Sequence, residues 1–273
     1  MKIYISADME GVNGVVLKEH VDPAAREYQP ARQWMTAEVN AAIAGAVAAG
    51  ATEVVVNDSH SNMANLLVDQ LHPKAQLVSG PGKPFSMVQD LDDSCAGAFF
   101  TGYHASFGTP QAIHDHIYAY SLIESIHVNG QQVGELGLNA GMAGAYGVPT
   151  LLVTGDKALA GEARALMPWV RAVAVKEGRG RLCARCYPFQ ETLKAIREEA
   201  EQAVRNRKKA KALIFKAPLV LEVRFPKVEM ADAAALLPGA ERIETKVLRY
   251  ETAAYPELYR AFLALFRLAR SVF

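Results

Sequence analysis

The sequence predicts an α/β fold, a mostly parallel sheet with flanking helices in its N-terminal part, followed by a smaller α+β C-terminal part. Three observations predict it. Short apolar runs recur through the first half, a segment of helical period separates the first two, and the second half changes to the in-out alternation of half-exposed antiparallel strands.

The first element is the apolar run Ile3 to Ala7, read as a strand. From Ala31 to Gly50 the apolar residues Met35, Val39, Ile43, Ala46 and Val47 recur with helical spacing, and Gly50 suits the left-handed position that closes a helix. Val54 to Val56 is a β-branched strand and Ala98 to Phe100 another. Ile126 to Val128 and Val133 flank Asn129-Gly130, the pair that tolerates positive φ at both central positions of a primed hairpin turn. Pro149 to Thr154 supplies a further strand. Beyond it, Arg179 to Arg185 is basic, Glu191 to Lys211 is a charged helical stretch, and Leu219 to Phe225 alternates as an antiparallel strand does. A strand near Ile243 to Arg249 and a helix from Pro256 to about Arg270 complete the series. The expected division is a catalytic α/β domain over residues 1–165 and an α+β domain over 166–273.

A chain of 273 residues is long enough for one large or two modest domains. Lys plus Arg and Asp plus Glu number 29 each, so the summed charge exerts no long-range pull on nucleic acid or an acidic membrane, and neither partner is expected. The N-terminal stretch lacks the apolar centre of about 7–15 residues that marks a secretory signal, and no apolar run reaches the roughly 18–20 residues of a membrane span. A soluble cytoplasmic protein is expected. Cys95, Cys183 and Cys186 make no disulfide framework, which suits a reducing compartment, and Cys183-x-x-Cys186 lacks the second pair that would make it a metal motif.

In open α/β sheets, sites form in the crevice beyond the carboxyl ends of the strands. Asp8 and Glu10 follow the first strand, Asn57-Asp58-Ser59-His60 the second, and Gly102-Tyr103-His104 the third; Glu135 comes just after the hairpin. Taken singly, Asp8 reads as a turn residue, Asp58 or Ser59 as a helix cap and His104 as a core histidine. Their joint placement points instead to a cation, because clustered carboxylates repel unless one holds them together. Imidazole with carboxylate suits zinc. Asp8, Glu10, His60, His104 and Glu135 are too many for one ion and about right for two, with Asp8, the acid nearest the rigid strand, as the bridge.

The stretches "SADMEGVNG", "VNDSHSNMANL", "LHPKAQLVSG", "KPFSMV", "GYHA" with "GTP" after it, and "VGELGLNA" together resemble the D-aminopeptidase family of binuclear zinc peptidases, in register over residues 1–156. The resemblance implies two zinc ions per subunit, with Asp8 bridging, Glu10 and His60 completing one site and His104 and Glu135 the other. It also implies hydrolysis of short peptides with N-terminal D-amino acids, such as D-Ala-D-Ala, by a metal-bridging water, in a homodecamer of two stacked five-membered rings. The family's catalytic histidine follows the "GTP" segment; here its position falls on Asp115, between His114 and His116. His116 is the first choice and His114 the second, and continued strand alternation would turn both to one face. Asp58 and Asn57 are candidates to orient the ligand imidazoles. Two other readings of a metal site are a phosphoester hydrolase and a metal-containing peptide-binding protein. His20, His72 and His127 lie outside the pattern.

Overall fold

Apolar runs that cannot spare a polar face must be covered on both sides, and this requirement sets the first sheet. The computed structural model describes residues 1–272. The chain forms β1 (Lys2–Ala7), α1 (Tyr28–Ala48), β2 (Glu53–Asp58), β3 (Ala75–Val78), β4 (Cys95–Tyr103), β5 (Ser125–Val128), β6 (Gln131–Val133), α2 (Glu135–Ala145), β7 (Thr150–Asp156) and α3 (Lys157–Leu166). It continues with β8 (Arg171–Gly180), β9 (Cys183–Cys186), α4 (Phe189–Arg205), β10 (Leu219–Arg224), α5 (Val228–Ala234), β11 (Glu241–Glu244), β12 (Val247–Thr252) and α6 (Tyr255–Arg270).

The first sheet has the order β3-β2-β1-β4-β7-β8-β9 and is parallel except for β9. Successive residues of β1 serve opposite layers. Ile3 and Ile5 pack with Val54 and Val56 under α1 and α4, through Met35, Val39, Ile43, Ile196 and Ala200. Tyr4, with Val55, Phe100 and Val153, faces a second core shared with α2, α6 and the other sheet, through Leu136, Met142, Leu221, Val223 and Phe262. The register places Ala7 beside both Asp58 and Thr101, so β1, β2 and β4 end together. That common edge carries the site.

The second sheet, β11-β12-β10-β5-β6, is antiparallel. Its hairpin β5–β6 turns at Asn129 (φ 52°) and Gly130 (φ 76°), the primed geometry expected of Asn-Gly. Leu221 and Val223 of β10 pair with Val128 and Ile126, which joins the hairpin to the later part of the chain. In the other direction β8, β9 and α4 complete the first sheet and its helical layer. The two sheets therefore interleave along the chain and do not part at residue 165; a change of composition marks neither a strand's partners nor its layer.

Three elements differ from expectation. The basic stretch continues β8 into the β8–β9 hairpin, the charged helix ends at Arg205, and the strand near Ile243 is two short strands joined by a turn. β3, absent from the sequence reading, has only four residues, too few for a period to show. Among the described residues, no helix is long and apolar enough to cross a membrane.

Candidate metal centre

The exits of β1 and β4 are pressed together. Asp8 N donates to Thr101 O (2.8 Å) and Gly11 N to Gly102 O (2.8 Å). Gly102 has φ 68°, and a Cβ there would stand 2.1 Å from Asp8 O, so only glycine lets the two backbones meet. The segment after Asp8 is knotted from beneath by Lys176. This fully buried lysine donates to the carbonyls of Glu10 (2.6 Å), Val12 (2.8 Å) and Val15. Burial pushes its pKa down to about 8.

Asp58 shapes the turn after β2. Its carboxylate accepts from the N–H groups of Asn65 (2.6 Å) and Leu66 (2.7 Å) and from Asn65 Nδ2 (2.6 Å), while Asn65 Nδ2 also donates to His60 O (2.7 Å). Lys83 Nζ donates to Asp58 O (2.6 Å) and Val78 O (3.0 Å). Asn57 Nδ2 donates to Ser59 Oγ and Ser86 O. Neither Asp58 nor Asn57 bonds to an imidazole nitrogen, contrary to expectation. No helix starts directly after β2, so these side chains satisfy loop backbone instead.

Backbone carbonyls hold the rings. His60 Nε2 contacts Val21 O (3.0 Å), His104 Nδ1 contacts Ala105 O (3.1 Å), and His116 Nδ1 contacts His114 O (2.7 Å). A nitrogen facing a carbonyl at that distance carries the hydrogen, which fixes the tautomer of each neutral ring. The other nitrogen of each ring faces carboxylates. His60 Nδ1 lies 3.0 Å from Glu10 Oε2 and 3.5 Å from Asp8 Oδ1; His104 Nε2 lies 3.3 Å from Glu135 Oε1 and 3.7 Å from Asp8 Oδ2. Asp8 thus turns one oxygen to each imidazole. Glu135, the first residue of α2, is held by Tyr118 N, which donates to its Oε1 (2.6 Å).

Lone pairs opposed across such distances demand a cation between them, a proton or a metal ion. His104 Nε2 makes this plain, since it is buried and has no hydrogen-bond partner of acceptable geometry. Two overlapping sets, Asp8-Glu10-His104 and His104-His116-Glu135, each hold their ligand atoms within 4.8 Å of one another. All six residues of the centre, His60 included, are buried. Nitrogen and carboxylate oxygen at this density fit zinc, and the number of donors exceeds what one tetrahedral ion takes.

Without metal, protons take up the strain unevenly. Burial and the Glu10 charge raise Asp8 to about 7. Burial opposes the charge of Glu10, but the His60, His116 and His104 rings hold it well below the usual carboxylate range. Burial likewise opposes the imidazolium of His104, yet Glu135, with Asp8 and Glu10, lifts it to about 10. His60 rises well above its ordinary value by the same means, through Glu10 and Asp8. Burial and the neighbouring His104 charge lower His116.

The loop after β4 carries both candidate histidines, but not as a strand. His114 has φ 53°, and the alternation needed to turn the two rings to one face is absent. His116 stacks on His104, ring centroids 4.1 Å apart, with Nε2 3.7 Å from Glu135 Oε1. His114 instead has its Nδ1 in a hydrogen bond with the Tyr120 hydroxyl (2.5 Å). Arg181 secures the loop by an ion pair with Asp115 (Nε to Oδ1 2.8 Å). A cavity of about 740 Å³ opens onto Asp8, Glu10, His60, His116 and Glu135. Sequence reasoning missed Tyr118, Tyr120, Arg181 and Lys176, which follow no metal-ligand pattern and are recognisable only by what they touch.

A D-aminopeptidase family model matches residues 1–264. The chain belongs to the D-aminopeptidase family. A curated D-aminopeptidase of Bacillus subtilis (strain 168) is 42% identical over 271 residues, covering 98% of each chain. The solved structure of the Zn-dependent D-aminopeptidase DppA from Bacillus subtilis, described as a self-compartmentalizing protease, superposes with a TM-score of 0.96 at 41% identity, covering 99% of this chain and 98% of that one. Membership in the D-aminopeptidase family places the chain among peptide-hydrolysing enzymes.

Proposed function

We propose that this D-aminopeptidase family member removes the N-terminal residue of short peptides such as D-Ala-D-Ala, with two zinc ions held by Asp8, Glu10, His60, His104 and Glu135. The observation that carries it is the facing of ring nitrogens and carboxylates around Asp8, whose two oxygens approach His60 Nδ1 and His104 Nε2 at 3.5 and 3.7 Å. The relatives' Zn-dependence and D-aminopeptidase activity support the same reading.

When bound, the zinc pair would supply a Lewis acid and a water of lowered pKa at neutral pH. The protein's own groups supply the rest. His116, its Nδ1 hydrogen held by the His114 carbonyl and its pKa lowered, is neutral at neutral pH. Its Nε2 can accept a proton, and once protonated can pass it to the departing amine or donate a hydrogen bond to the developing oxyanion, a contribution of typically ~10²–10⁴-fold. Stacking on His104 and Tyr120 (centroid distance 4.4 Å) fixes the ring for that task.

Handedness of the preferred substrate rests on the relatives. A ring-built homodecamer acting in the cytoplasm is the corresponding proposal for assembly, supported by the relative's self-compartmentalizing character. Native mass spectrometry reporting a monomer would remove the decamer. The test of activity is hydrolysis of D-Ala-D-Ala, L-Ala-L-Ala and a generic phosphodiester by zinc-loaded and chelator-treated protein. Zinc-dependent cleavage of D-Ala-D-Ala alone is expected. Cleavage of the phosphodiester alone would replace the peptidase reading, and zinc binding with no hydrolysis would favour a peptide-binding role.

A further inference from the structure

The cavity that opens onto the carboxylates has an opposite wall of different chemistry. It is formed by α6, which presents Leu263, Phe266, Arg267 and Arg270, spaced as one face of a helix. The apolar pair lies on the earlier turns and the two guanidinium groups on the last.

Tyr118 ties this wall to the metal centre. Its N–H donates to Glu135, its ring meets Phe262 and Phe266 edge-on at 4.9 and 5.4 Å, and its hydroxyl is hydrogen-bonded with that of Tyr259 (2.7 Å). One residue thus spans from a ligand carboxylate to the face of α6 that leads to the arginines. The cavity thus brings together the metal-centre residues, an apolar face and two guanidinium groups. A short peptide with both ends free has a matching order: an amino group for the metal centre, one or two side chains, and a carboxylate about 7 Å further on for two extended residues.

We propose that Arg267 and Arg270 form a subsite for the C-terminal carboxylate of the substrate, which selects very short peptides over longer ones; this rests on the peptidase reading. Guanidinium is suited to the planar carboxylate through paired N–H donors. Arginine in the last turn of a helix also complements the helix dipole, and that role alone would leave the two residues indifferent to what fills the cavity. The difference between the two roles is a difference in substrate selection.

The test compares D-Ala-D-Ala with its C-terminal amide, using zinc-loaded wild type, the double variant Arg267→Gln with Arg270→Gln, and the double variant Arg267→Lys with Arg270→Lys. The ratio of kcat/KM for acid over amide is read, because it cancels any loss of folded protein. Wild type is expected to favour the acid by on the order of 10- to 100-fold, mainly through KM. The glutamine pair brings the ratio to about one, and the lysine pair, which keeps the charge and loses the paired donors, keeps part of it. An acid-to-amide ratio near one in wild type, or one unchanged in the glutamine pair, would overturn the subsite while leaving the peptidase standing. In parallel, calorimetry on chelator-treated protein measures binding of a reduced-amide isostere of the dipeptide and of the isostere's C-terminal amide. Tighter binding of the acid form, lost in the glutamine pair, is expected. Should no peptide be cleaved by the zinc-loaded wild type, the peptidase reading fails, and equal binding of the two isosteres would then overturn the subsite as well.

Discussion

His104 and His116 lie stacked, ring centroids 4.1 Å apart and planes 11° from parallel, with both Nε2 atoms turned to Glu135 Oε1 at 3.3 and 3.7 Å. Two imidazoles this close cannot both hold a proton without repelling each other. The geometry resolves the conflict by giving the charge to His104, which also faces Asp8, and leaving His116 neutral. A ring that stays neutral keeps its Nε2 lone pair open to a proton, and its lowered pKa makes it ready to pass that proton on.

His116→Ala is therefore expected to lower kcat by about 10²–10⁴-fold while the protein keeps its zinc. His114→Ala, whose ring is engaged with Tyr120 away from the carboxylates, should cost far less. Steady-state kinetics with metal analysis of both variants checks this, and the reverse order would move the role to His114. Loss of zinc from the His116 variant would make it a ligand, a place that its distance from Glu135 also permits.

Glu135→Gln removes the anion that both rings share. Zinc content should fall by about half, because only the side of the centre containing His104 depends on this carboxylate, and activity should drop more than in the His116 variant. Elemental analysis after gel filtration, beside a peptidase assay, gives the answer.

Zinc uptake should release protons. In the metal-free protein His104 holds its proton up to about pH 10, so an incoming ion must displace it and affinity must weaken as pH falls. The same shift has a stability consequence with a definite sign. A histidine whose folded pKa lies above its unfolded value stabilises fully below about pH 6.5, and that stability fades as pH rises towards the folded pKa. The melting temperature of chelated protein should thus fall between about pH 6.5 and 8, below the range in which Lys176 adds a slope of opposite sign. Zinc should flatten the slope. Calorimetry in two buffers of different ionisation enthalpy counts the protons, and no release would contradict a protonated His104 in the metal-free protein.

Lys176→Met leaves the carbonyls of Glu10, Val12 and Val15 without their common donor. We expect a destabilisation on the order of 2–4 kcal/mol and weaker zinc retention, because the loop that carries Glu10 loses its anchor. Urea unfolding measures the first effect. A variant of unchanged stability would show that the loop is held by the contacts of Gly11 and Asp8 with β4 alone.

The candidate site was legible because most of its residues lie close behind strand ends. Asp8, Glu10, His60 and His104 each follow the end of a strand by one to three residues, and in a parallel sheet such positions share an edge. Glu135 was readable because a hairpin and a run of small helical residues bracket it. His116 was not fixed in the same way: it sits in a loop with positive φ at Gln111, His114 and Tyr118, where no period constrains which side chain faces inward. Lys176 looks in sequence like an ordinary surface lysine on an alternating strand. Its role depends on three carbonyls more than 160 residues away along the chain. Asp58 misled for a related reason, since an acid two residues from a ligand histidine looks like a ring partner when it is needed by the backbone of the turn. The division at residue 165 followed charge and composition, whereas the pairing of Val128 with Leu221 follows side-chain packing across the sheet.

The most direct test of the shared centre is the zinc content of purified protein, wild type beside Asp8→Ala. Two zinc ions per chain are expected in the wild type, and in the variant a loss of metal together with abolished peptidase activity. Two zinc ions and full turnover in the Asp8 variant, or a wild-type chain that is active with no metal bound, would contradict it.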